Sequence, residues 1–148
     1  MPFRFRFKSL LQKREHSLQE AQSALAAALH RWGEIKRSLE MGRKDYQQAW
    51  REWQEQQGRG IEAKHFMIHI NYLKHLERQL LILEDELNES HKEVERRKST
   101  VLQRDMELKI LQELKKKDMS SYHHAQLKKE QAQLDEVAIF KDFHCRSF

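Results

Sequence analysis

Bulky apolar residues recur every seven positions in two long series. Leu11, Leu18, Leu25, Trp32, Leu39, Tyr46 and Trp53 form the first, and Phe66, Leu73, Leu80, Leu87, Val94, Val101 and Leu108 the second. Between them lies Gly58-Arg59-Gly60, the only Gly-x-Gly in the chain. A seven-residue apolar period winds two helices into a left-handed supercoil, because 3.5 residues per turn keeps one seam on its partner. Folding the chain at the glycines sets Trp53 against Phe66, Tyr46 against Leu73, and onward to Leu11 against Leu108. The predicted fold is all-α: a long antiparallel two-helix coiled coil with an overhanging C-terminal helix. Such a rod has no cleft for chemistry, so its function is expected to be mechanical or adhesive.

Four Gly and one Pro leave little material for loops or strands, and one Cys, Cys145, excludes an internal disulfide framework. No apolar run approaches the roughly 20 residues that span a bilayer, and the opening Met1-Pro2-Phe3-Arg4-Phe5-Arg6-Phe7 lacks the apolar stretch of a secretory signal. A cytosolic protein, elongated and in one unit, is expected, without direct membrane insertion. The net charge of +5 raises nucleic acid as a partner. Basic and acidic residues are interspersed, however, as on a solvated coiled-coil surface, and no nucleic-acid partner is expected.

The first helix is expected over about residues 4–57, with Ser9-Leu10-Leu11-Gln12 as a capping box if it begins late. The turn falls at about 58–60, where Gly58 and Gly60 can supply positive φ. The second helix then runs from about 61 to about 143, on the order of 120 Å at ~1.5 Å per residue. Helix 1 is shorter, so residue 3 reaches only to about residue 116 and roughly the last 30 residues lack an internal partner. At that point the next pair would be Arg4 with Lys115, two cations. Beyond it an apolar pattern returns in a new phase through Leu127, Leu134, Val137, Ala138, Ile139, Phe140 and Phe143. Exposed apolar residues at helical spacing await a partner.

The second seam row reads as polar: Trp50 by His69, Arg43 by Leu76, Lys36 by Leu83, Glu15 by Arg104 and Lys8 by Leu111. It predicts a marginally stable hairpin with a Glu15–Arg104 salt bridge. His65 and His69 share a helix face at metal-ligand spacing, but no Glu or Cys completes a set. No metal site, cofactor, catalytic residue or phosphate-cradling loop is expected. Around the bend, Trp53, Phe66 and Tyr46 belong to the seam, whereas Tyr72 lies off it and Trp50 is only partly covered. Exposed aromatics on a rigid helical tip suit a protein interface.

With the hairpin, the opening Phe-Arg-Phe-Arg-Phe-Lys-Ser-Leu-Leu, Asp45-Tyr46 before the bend, and Leu134-Asp135-Glu136-Val137-Ala138-Ile139-Phe140 near the end, the chain resembles the flagellar FliJ family over essentially its whole length. The resemblance implies a non-enzymatic coiled coil like the central stalk of rotary ATPases. It implies a place in the ring of the flagellar type III export ATPase, promotion of its hexamer, and contacts with the cytosolic domain of the membrane export gate and with export chaperones. Peripheral association with the inner membrane through that apparatus follows. By the resemblance, gate contact falls on Tyr46, Trp50, Tyr72 and Leu76, with Trp50 standing where a well-known member has Tyr. Ring contact falls on the free ends: Phe3, Arg4, Phe5, Arg6 and Phe7, then Leu134, Val137, Ile139, Phe140 and Phe143. Stalk proteins of virulence type III secretion share the fold, and a generic coiled-coil adaptor fits the periodicity alone.

Overall fold

The computed structural model describes residues 2–60 and 62–146. Two helices account for its regular structure: α1, Lys8–Gly58, and α2, Ala63–Arg146. No strand occurs among the described residues. The expected start of helix 2 at Ile61 lies outside them. Contacts group the chain into two compact units, Gln19–Leu102, which holds the turn, and a terminal unit of the residues up to Leu18 with those from Gln103 onward.

In the turn unit the two helices run antiparallel. Trp53 and Phe66 meet edge to face at 4.9 Å between centroids, as the heptad pairing requires. Further from the turn, Tyr46 reaches Glu77 and Arg43 reaches Glu84. Ala49, Trp53, Leu73 and Leu76 form a buried cluster, with Tyr46 and Ile70 packed on it. Leu39 and Val94 are among the most deeply buried residues of the chain. Gly60 closes the turn at φ +77°, in the left-handed region where a Cβ would clash. Arg59 N–H donates to Gln56 O and Gly60 N–H to Gln57 O, ending α1. Gly58 is the last helical residue and has no positive φ, so Gly60 alone fills the role expected of both glycines.

The second seam row of α1 differs from the polar one expected. It lies three residues after each first-row position instead of four. Its members are Ala21, Ala28, Ile35, Gly42 and Ala49, all buried or half-buried. Small side chains let the helices approach closely: a Cβ on Gly42 would stand 3.1 Å from Leu80 Cδ2. Arg43 and Lys36, expected in this row, sit outside it. Arg43 pairs with Glu84 at 3.6 Å, and Lys36 lies over the Trp32 ring at 5.1 Å. His69 packs against Trp53, not Trp50. The second row is therefore small and apolar on α1 in this unit, while α2 contributes His69 and the buried Ser90 alongside Leu76 and Leu83.

The same offset governs the terminal unit. Arg14, not Glu15, faces α2, and its Nη1 donates to Glu107 Oε2 at 2.8 Å. Arg104, expected opposite Glu15, donates to the same Glu107 oxygen at 3.3 Å. Phe5, Leu11, Leu108 and Leu111 form the buried cluster, flanked by Phe3, Leu18 and Leu114.

Helix α1 starts at Lys8. Phe7 thereby precedes the first helical residue, and its carbonyl accepts the Leu11 N–H. Ser9 is inside the helix, and the capping box it could have opened is not used. Before the helix, Phe3-Arg4-Phe5 is a non-helical arm that turns at Arg6 and Phe7, and its Phe3 and Phe5 lie against α2. A helix advances only ~1.5 Å per residue, and an unwound segment can span more. Phe3 meets Tyr122 at 5.5 Å, well past the expected limit near residue 116. From residue 123 to 146 every residue of α2 is exposed.

Candidate functional site

Among the described residues, no three His, Cys, Asp or Glu side chains are grouped to hold a metal. None of the described helices is long and apolar enough to cross a membrane. The informative surfaces are apolar, and they lie near the turn and in the terminal unit.

Near the turn, the four residues marked by the resemblance divide into two kinds. Trp50 is 45 % exposed and Tyr72 50 % exposed. Leu76 is buried in the cluster beside Trp53. Tyr46 is half-buried on that cluster, and its hydroxyl donates to Glu77 Oε1 at 2.8 Å. That hydrogen bond to a carboxylate raises the Tyr46 pKa, with burial and the Glu77 charge adding to it in the same direction. Tyr46 and Leu76 thus pack where the two helices meet, whereas Trp50 and Tyr72 are each open to solvent. Met67 and Ile68 are also exposed here, at 56 % and 58 %. Sequence reasoning missed both, because an apolar residue off the seam leaves no mark in a heptad pattern.

The N-terminal set divides in the same way. Phe5 is core, Phe3 is half-buried against Tyr122 of α2, and Arg4 and Arg6 are exposed. Phe7 sits edge-on to Phe5 at 5.9 Å, and the Arg6 guanidinium lies over the Phe7 ring at 5.5 Å. Toward the other end of the chain, Leu134, Val137, Ile139, Phe140 and Phe143 are all exposed. At ~100° per residue, residues 137–140 and 143 point to every side of the helix. Asp135, Glu136, Lys141 and Asp142 are interleaved with them, so the apolar residues of this segment are not gathered on a single face.

The helix pair of the turn unit, seamed by alternating large and small residues, has the architecture of a coiled-coil protein. The family model described as Flagellar FliJ protein matches residues 3–144, nearly the whole chain. The chain belongs to the FliJ family, and is thereby a flagellar export-related stalk protein of the cytoplasmic export machinery. No curated relative and no solved structure matches it.

Proposed function

We propose that the chain is the central-stalk component of the flagellar type III export ATPase. In this reading it promotes assembly and activity of the ATPase ring and links the ring to the export gate and to export chaperones. It works at the cytoplasmic face of the inner membrane, held there by the apparatus. Residues 123–146 form the overhang, and the apolar residues around it are the observation that carries the reading. They have the chemistry of a segment enclosed by a partner, and a hexameric ring is a partner that encloses. The arm from Phe3 to Phe7 supplies the second part of the ring contact, and Trp50 with Tyr72 supplies the gate contact.

The test is stimulation of the purified export ATPase by the full chain and by a chain ending at residue 122. The shorter chain keeps the buried clusters and the Phe3–Tyr122 contact. It should remain helical and lose stimulation. Equal stimulation by both would remove the ring contact from the overhang. A flagellar role is favoured over a virulence one because the matching family is the flagellar one.

A further inference from the structure

The arm that covers the start of α1 also builds a groove. Phe3, Phe5 and Leu11 from the N-terminal side and Met119 from α2 give it apolar walls around about 590 Å³. Its polar lining consists of Arg4, Lys8 and Lys115 and contains no carboxylate. The ion pairs of the terminal unit engage Arg14, Arg104, Lys109, Lys116 and Arg146, so these three cations have no carboxylate partner among the described residues. No acidic residue occupies the first turn of α1, whose N-terminal dipole end adds to the same positive field.

We propose that this groove binds an acidic amphipathic peptide segment of a partner protein, with a Leu or Phe side chain between the apolar walls and carboxylates on Arg4, Lys8 and Lys115. The charge of the lining decides the occupant. Three like charges brought around one cavity repel one another, and a segment carrying two or more carboxylates relieves that repulsion where an apolar one would not. The apolar walls in turn favour a peptide over a bare anion. A nucleic-acid backbone is disfavoured because Glu15, Glu113 and Asp118 flank the cations in sequence, whereas phosphate tracking needs an extended basic surface. The inference deepens the ring-contact reading of the arm, for which it names the chemistry the partner must present.

The experiment is fluorescence anisotropy of the full chain with a labelled synthetic peptide in which Asp and Glu alternate with Leu and Phe. Binding should weaken with salt. It should fall by about tenfold or more in Lys8→Glu/Lys115→Glu, as expected when an attractive charged contact becomes repulsive. Lys128→Glu, outside the groove, should leave it unchanged. Phe3→Ala should weaken binding independently of charge. Replacing the peptide's acids by Gln, or its Leu and Phe by Ser, should each reduce affinity. No binding, equal binding by the charge-reversed chain, equal binding of the Gln peptide, or preference for a single-stranded RNA oligonucleotide at the same residues would each overturn the proposal. Circular dichroism of each variant checks that folding is retained. If the charge-reversed chain loses the peptide but still stimulates the ATPase, the groove stands and the arm's ring contact falls. If it keeps the peptide and loses stimulation, the reverse holds.

Discussion

Leu80 Cδ2 stands 3.1 Å from the point a Cβ on Gly42 would occupy, with Leu83 Cδ1 next at 3.8 Å. Gly33, on the same helix, has nothing within 4 Å of its corresponding point. One glycine is fixed by a neighbour and the other is not.

Gly33→Ala should therefore raise the thermal midpoint. It removes backbone freedom from the unfolded chain and meets no obstacle, a gain of about 0.5–1 kcal/mol. Gly42→Leu should lower it by about 1–3 kcal/mol through overpacking. Gly42→Ala should fall between them, because the helix preference for Ala opposes a contact that Leu80 can relieve by moving a methyl. Thermal unfolding followed by circular dichroism checks the order; a Gly42→Leu chain as stable as the parent would contradict close approach at this layer.

Trp53→Ala and Trp50→Ala should separate folding from docking. Trp53 is buried against Phe66 and His69, so its truncation should destabilise the turn unit, by less than the ~3–5 kcal/mol of a full core because the seam is narrow. Trp50 and Tyr72 are half-exposed, and their Ala variants should unfold like the parent. In the proposed function these same two variants should lose affinity for the export gate by ~2 kcal/mol or more. Calorimetric titration against the gate's cytosolic domain measures it, and parental affinity in both would take them out of the interface.

Glu107 is the shared acceptor of Arg14 and Arg104. Glu107→Ala should destabilise the terminal unit by about 1 kcal/mol, because it leaves two guanidiniums close together in a partly buried seam. Glu89→Ala, which breaks only the exposed Lys92 pair, should have no measurable effect. Matched denaturant titrations compare the two.

Tyr46 should ionise above the usual tyrosine range, since the Glu77 carboxylate accepts its proton and opposes the phenolate. A raised folded-state pKa means that this hydrogen bond contributes its full stabilisation below about pH 10, the unfolded value, and loses it as pH rises through the folded one. Exposure keeps the contribution to roughly 0.5 kcal/mol or less. Spectroscopic titration should show one late-ionising phenol in the parent that is missing in Tyr46→Phe and shifted down in Glu77→Gln. A Glu77→Gln chain with an unchanged phenol titration would contradict the coupling.

The hairpin, its turn and the first seam row were legible in the sequence because a heptad of large residues has one reading, and two such series around Gly-x-Gly fix the partner. Trp53 against Phe66 and Leu11 with Leu108 are where the period puts them. The second row was not legible. The row three residues on, with Ala21, Ala28, Gly42 and Ala49, and the row four residues on, with Arg43 and Trp50, both satisfy a helical face. Only the distance between the helices decides that the small residues go inside. The arm was ambiguous for a related reason, since Phe-Arg-Phe-Arg-Phe allows a late helix or an extended segment. The sequence by itself determined which residues could form a seam. The tertiary structure decided how closely two helices approach at that seam, where the non-helical arm lies along it, and hence which aromatics are structural and which remain open to a partner.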